Sequence, residues 1–214
     1  MKRICMLALS AALILAAAAA FAADAKRLTM ATGGTSGVYF PLGGAISQVL
    51  SSKSDGALSV TAQATGASGE NMRLTQANEV DLAIVQNDVA HAAYNGLEPF
   101  KKKLGDVRAI ARLYPEYLHV VAGKESGVKA LGDFKGKKVS VGARGSGNEV
   151  NCRQMFGFYG LDYNNIKPIF LPYGETADQF KDRAIDGFVF TIGTPNPAIQ
   201  DITTAQEVVF VPLD

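Results

Sequence analysis

The chain has 214 residues, 21 basic against 20 acidic side chains and two cysteines, Cys5 and Cys152. Near neutrality excludes a global pull toward nucleic acid or anionic membrane, and two cysteines exclude a fold built on disulfides. Stability must come from packed apolar layers, and the length suits one large domain or two lobes.

Lys2 and Arg3 precede an apolar run from Ile4 to Ala20 that ends in Ala20-Phe21-Ala22. This predicts a secretory leader over residues 1–22, cut after Ala22. A membrane anchor would want about 20 apolar residues and a charged stop, whereas a polar, foldable sequence follows here. Cys5 lies too early to be the lipid-carrying cysteine of a lipoprotein. The expected mature protein is exported to the periplasm and soluble, with 19 basic residues against 20 acidic and Cys152 as its one thiol.

Two stretches then repeat one pattern of strand, glycine-rich loop, helix, strand, loop, helix, strand. In the first, Leu28 to Ala31 is a strand, Thr32 to Gly37 a loop and Tyr39 or Pro41 to Leu50 a helix. Leu58 to Ala64 is the second strand, followed by the loop Thr65 to Gly69 and a helix over Glu70 to Asn78. Asp81 to Val85, a continuous apolar run, reads as a buried central strand ending in Gln86-Asn87-Asp88. Val107 to Leu113 and Tyr117 to Val121 are apolar stretches broken at Pro115, the second predicted to cross between lobes. In the second repeat, the strand Lys138 to Val141 leads into the loop Gly142 to Asn148 and a helix over Glu149 to Tyr159. The strand Ile166 to Leu171, loop Pro172 to Thr176, helix Ala177 to Ala184 and strand Asp186 to Thr191 follow, ending in Gly193-Thr194-Pro195. Strands alternating with helices predict α/β architecture with two parallel sheets, hence two Rossmann-like lobes. The division is lobe one over 23–121 and lobe two over 122–207. Residues 208–214 start a return crossover, which leaves lobe one incomplete.

Parallel sheets bind ligands outside the carboxyl ends of their strands. The loops there are rich in Gly, Ser and Thr and lead into helices, so they offer unpaired N–H groups and the positive end of a helix dipole to an anion. The same residues also serve as ordinary turns and N-caps; their recurrence across both lobes favours the ligand reading. The candidates are Gly33, Thr35, Ser36 and Tyr39, then Ser68, then Gln86 and Asn87 at the end of a strand. The second lobe adds Arg144, Ser146, Gly193, Thr194 and Pro195. Arg144 is the one cation in these loops and could clamp a carboxylate, or lie solvated at the surface.

Other chemistry finds little support. His91 and His119 lack metal-ligand spacing and fit packing roles, in a helix and in the crossing strand. Gly66-Ala67-Ser68-Gly69-Glu70 fails as a nucleophile elbow at its last position. No phosphate-binding P-loop is present, and Gly145-Ser146-Gly147 is only half of a dinucleotide fingerprint. Cys152 reads as a small core residue. No catalytic set, metal or cofactor is expected.

Thr32-Gly33-Gly34-Thr35-Ser36-Gly37-Val38-Tyr39 with Pro41-Leu42-Gly43, Asp81 to Asp88, Leu113-Tyr114-Pro115-Glu116 before His119-Val120-Val121, and Leu131 to Gly147 together resemble the TAXI family of TRAP-transporter solute receptors. The resemblance implies a type II periplasmic-binding-protein fold with a crossover hinge. It also implies closure on an organic acid or amino acid such as glutamate or 2-oxoglutarate, delivered to integral membrane subunits that use an ion gradient. Gly33, Thr35, Ser36, Tyr39, Ser68, Gln86 and Asn87 match the family's lobe-one pocket segments; Ser146, Gly193, Thr194 and Pro195 match those of lobe two. Asn148-Glu149-Val150-Asn151-Cys152 departs from the Thr-Arg-Val-Thr-Ala type of run expected there, and the chain stops about a hundred residues short of usual members. The alternatives are a ligand sensor that feeds a signalling receptor, a truncated remnant, and an exported hydrolase using Ser68.

Overall fold

The computed structural model describes residues 25–213; the predicted leader, residues 1–22, lies outside them. The first unit comprises β1 (Lys26–Ala31), α1 (Tyr39–Lys53), β2 (Leu58–Gln63), α2 (Ser68–Gln76), β3 (Leu82–Ala83) and α3 (Asn87–Asn95). The second comprises β4 (Tyr117–Gly123), two 3-10 turns, β5 (Lys138–Ser140), α4 (Gly147–Phe158), β6 (Lys167–Ile169), α5 (Tyr173–Lys181), β7 (Gly187–Ile192), α6 (Pro197–Ala205) and β8 (Val208–Phe210).

The duplication is visible in the sheets. The first has the order β2-β1-β3 and is parallel throughout. The second has the order β6-β5-β7-β4-β8, in which β5, β6 and β7 are parallel. In each half the first strand therefore sits between the other two, and their carboxyl ends share one side. The second sheet is mixed and not parallel as expected, because β4 runs antiparallel to both β7 and β8.

Asp81 to Val85 is likewise not a central strand. Only Leu82 and Ala83 pair, with Met30 and Ala31, and they lie at the edge of the sheet. The ladder stops there because the Ile84 carbonyl is taken by the side chain of Asn71, and the chain turns at Gln86 into α3. Three helices begin earlier than their patterns suggest: α2 at Ser68, α4 at Gly147 and α5 at Tyr173. Their first turns hold small and polar residues that resemble a loop in sequence yet are common at helix starts. The apolar stretch Val107 to Leu113 is neither helix nor strand, and Ile110 is 83% exposed.

The second sheet is covered on both faces. Phe134, Val139, Val141, Phe156 and Val189 form one buried layer with α4, while Val121, Phe180, Phe188, Phe190 and Ile202 form the other with α5 and α6. All six residues of β7 are buried, as a strand between two apolar layers requires. Cys152 is fully buried in the first layer, as expected for a core residue. In the first unit Met30, Val60 and Ile84 pack against Leu42, Ile46 and Leu50 of α1. Met72, Val89, Ala93 and Phe100 form a further cluster that also contains Val150 from α4, so apolar packing continues from one unit into the other.

The strand ends of the first sheet are tied by one fully buried side chain. Asn71 Nδ2 donates to the carbonyls of Thr32, 2.6 Å, and Ile84, 2.8 Å, while its Oδ1 accepts from the Thr65 hydroxyl, 2.6 Å. The loops after β1, β2 and β3 are thereby held together. Leaving such groups buried and unpaired costs on the order of 1–3 kcal/mol each. Asn71→Leu is expected to lower unfolding free energy by about 3 kcal/mol, read from urea denaturation.

Candidate functional site

A small cavity of about 60 Å³, partly open to solvent, lies between the two units. The first unit lines it with Gly33, Gly34, Gly37, Val38 and Tyr39 after β1, with Thr65, Gly66 and Ala67 after β2, and with Gln86 after β3. The second unit contributes Gly142, Ala143, Ser146 and Asn148 after β5, Pro172 and Tyr173 after β6, and Ile192 at the end of β7. Glu116, just ahead of β4, completes the wall.

Five helices, α1 to α5, start at this lining. A helix start leaves N–H groups without intrahelical acceptors and carries partial positive charge. Glycine lets the two sides approach. A Cβ on Gly69 would run into the Gly145 carbonyl oxygen, and one on Gly147 into Gln86 Oε1. Gly142, at φ +93°, leaves room for the Asn148 side chain, which bonds the Val189 carbonyl and the Thr191 N–H and so fixes the end of β7. Ala67, with φ 68° and ψ −150°, holds a conformation normally reserved for glycine, at a cost of about 1–3 kcal/mol.

Side-chain bonds also cross between the units. Gln86 Nε2 donates to Asn151 Oδ1, 2.6 Å, and Asn151 Nδ2 donates to Asp88 Oδ2, 2.5 Å. Asn151 belongs to the run that departs from the expected family pattern, and here it joins α4 to the start of α3.

Glu116 is held between two phenols. Tyr39 donates to its Oε2, 2.8 Å, and Tyr114 to its Oε1, 3.2 Å. Burial pushes the Glu116 carboxyl above its ordinary value, the bonds from Tyr39 and Tyr114 pull it down, and the charge of Asp88 raises it. Burial, then the adjacent Glu116 charge, pushes both phenols far up, so they remain donors. Tyr173 likewise stays protonated through burial and donates to the Thr191 carbonyl, 2.8 Å.

Of the residues singled out from sequence, Gly33, Tyr39, Gln86 and Ser146 line the cavity. Ser146 also caps α4, accepting from the Glu149 N–H at 3.1 Å. Ser68 is buried just behind the wall and accepts from the Gln86 N–H, 3.1 Å, a positioning contact. Thr35, Ser36 and Asn87 are exposed and outside the lining, with Ser36 Oγ against Gly174. Arg144 is exposed and also outside, its guanidinium 3.7 Å from the centre of the Phe170 ring. Gly193 packs behind on Tyr114, while Thr194 and Pro195 are exposed. Sequence reasoning missed Glu116 and Tyr173 as lining residues. The signal for Glu116 was its place right after Pro115, where the crossing strand enters; for Tyr173 it was its place in a loop after a strand.

Fold and topology together define a type II periplasmic-binding-protein fold, with a cleft between two α/β units. Residues 30–214 match the NMT1-like family, and the chain belongs to it. The fold is similar to the alkanesulfonate-binding protein SsuA of Xanthomonas axonopodis pv. citri, solved with MOPS, at TM-score 0.60 and 14% identity over 89% of this chain and 62% of that one. A binding protein of an ABC phosphonate transporter from Pseudomonas aeruginosa gives 0.62 at 14% identity, over 88% and 65%. An ancestral arginine-binding protein bound to arginine gives 0.57 at 15%, over 88% and 82%. The chain thus spans less than two thirds of the length of the alkanesulfonate-binding protein and of the phosphonate-transporter binding protein.

Two outcomes follow from this geometry. Gly69→Ala is expected to hold the units apart, because backbone on both sides of the contact cannot swing aside. Small-angle scattering should then give a larger radius of gyration, with an unchanged far-UV spectrum. A raised Glu116 pKa means the folded state holds that proton more tightly than the unfolded chain. Its contribution to stability is therefore full below the ordinary 4.5 and is lost as pH rises through the folded value. Glu116→Gln should remove that decline, read as melting temperature against pH without ligand.

Proposed function

We propose that this chain is the solute receptor of a membrane transporter, acting in the periplasm after removal of its leader and closing two lobes on a small carboxylate. The observation that carries the reading is the start of five helices, drawn from both lobes, at one cavity. Their N–H groups and dipoles suit an anion without a charged side chain, and an anion held from both sides favours the closed arrangement. The proteins of similar fold, named for alkanesulfonate and phosphonate transport and for arginine, support a small polar ligand. The chain's motifs resemble the TAXI receptors, which makes integral membrane TRAP subunits driven by an ion gradient the proposed partner. The role is binding and delivery, with no chemical step.

Thermal unfolding of the full chain tests this, alone and with glutamate, glutamine, 2-oxoglutarate and succinate. Ligand at about a hundred times its dissociation constant adds roughly 2.7 kcal/mol, a shift of several degrees. A cooperative transition that no carboxylate moves would count against the reading.

A further inference from the structure

Glu116 has a place in the cleft that a carboxylate ligand alone does not explain. Apart from tyrosines, it is the one ionisable side chain among the described residues that line the cavity. Its two oxygens take one phenol each, from Tyr39 and Tyr114, and each oxygen keeps a further lone pair. It forms no ion pair among the described residues. Arg144, in the loop beside Ala143, lies over Phe170, while Arg73 lies over Phe100 and bonds the Gly69 carbonyl. A half-buried carboxylate without a cation is costly, and burial raises its pKa accordingly.

The rest of the wall has the opposite character. Ala67, Ser146 and Pro172 cap helix starts, and the N–H groups of Gly34 and Ala143 donate to no acceptor among the described residues, whereas that of Gly66 is taken by Glu70. The wall therefore sets the Glu116 carboxylate apart from the free N–H donors of Gly34 and Ala143. A second carboxylate reaching Glu116 would meet like charge, whereas an ammonium would supply the missing cation and fill the open lone pairs.

We propose that Glu116 is a specificity-determining residue: the ligand places a protonated amine against it and a carboxylate against the glycine loops, so that acids lacking the amine are rejected. This rests on the carboxylate-receptor reading and narrows it from organic acids at large to zwitterions.

The test compares ligands that differ only at that group. Calorimetric titration of the full chain would use L-glutamate against 2-oxoglutarate, L-alanine against pyruvate and L-leucine against its 2-keto acid. The amino acid of the pair that binds is expected to do so at least about 10-fold more tightly than its keto acid, the scale of a charge-assisted hydrogen bond. Glu116→Gln, which keeps the shape and can still bond the phenols, should close that gap while its ligand-free melt stays cooperative. A keto acid that binds as tightly as its amino acid would overturn the inference and leave the carboxylate reading standing. A preference that survives in Glu116→Gln, or in Glu116→Ala if the first variant unfolds, would overturn the assignment to this residue. Binding of neither member of any pair would overturn the carboxylate reading and the inference with it.

Discussion

The cleft depends on strand ends being held where their loops can meet a second set of loops across a gap. In the first unit that restraint is Asn71, whose amide takes the carbonyls at the ends of β1 and β3 and the hydroxyl of Thr65 after β2. In the second unit Asn148 does similar work on β7, bonding the Val189 carbonyl and the Thr191 N–H. Both side chains are buried, where a pairing of this kind is strong and its loss leaves orphaned backbone groups. With strand ends fixed, the helices that follow have little choice over where they begin.

Five helix starts at one cavity create an electrostatic problem as well as a site. The positive ends of α2 to α5 are partly met by Glu70, Asp88, Glu149 and Glu175 in their own first turns. Glycine at positions 69 and 147 brings the two sides into contact, and Val150 packs among Met72, Val89 and Phe100 of the other unit. The approach is thus driven by apolar burial and by the Gln86–Asn151–Asp88 bonds. Glu116 lies at one end of the same space, with its charge moderated by two phenols.

How legible the site was in the sequence varied by residue type. Glycine loops after strands signal themselves, and Gly33 was found this way; Gln86 was found as an amide leaving the end of a strand. Hydroxyls in the same loops were less informative, since Thr35 and Ser36 turn out exposed while the unremarkable Ala67 lines the wall. Arg144 illustrates the limit for charges: being alone in a loop made it a candidate, but the Phe170 ring, distant in sequence, determines where its guanidinium rests.

The sequence by itself determined the duplicated alternation of strands and helices, the layered α/β class, the burial of Cys152 and the side of each sheet on which the glycine-rich loops lie. These follow from periodicity and turn chemistry, which act within a few residues. Tertiary structure alone decided that β4 and β8 run antiparallel into the second sheet, that Leu82 and Ala83 form an edge and not a centre, and that Glu116 stands between Tyr39 and Tyr114. Strand order and the company of a buried charge are set by contacts between segments tens of residues apart, and no local pattern encodes them.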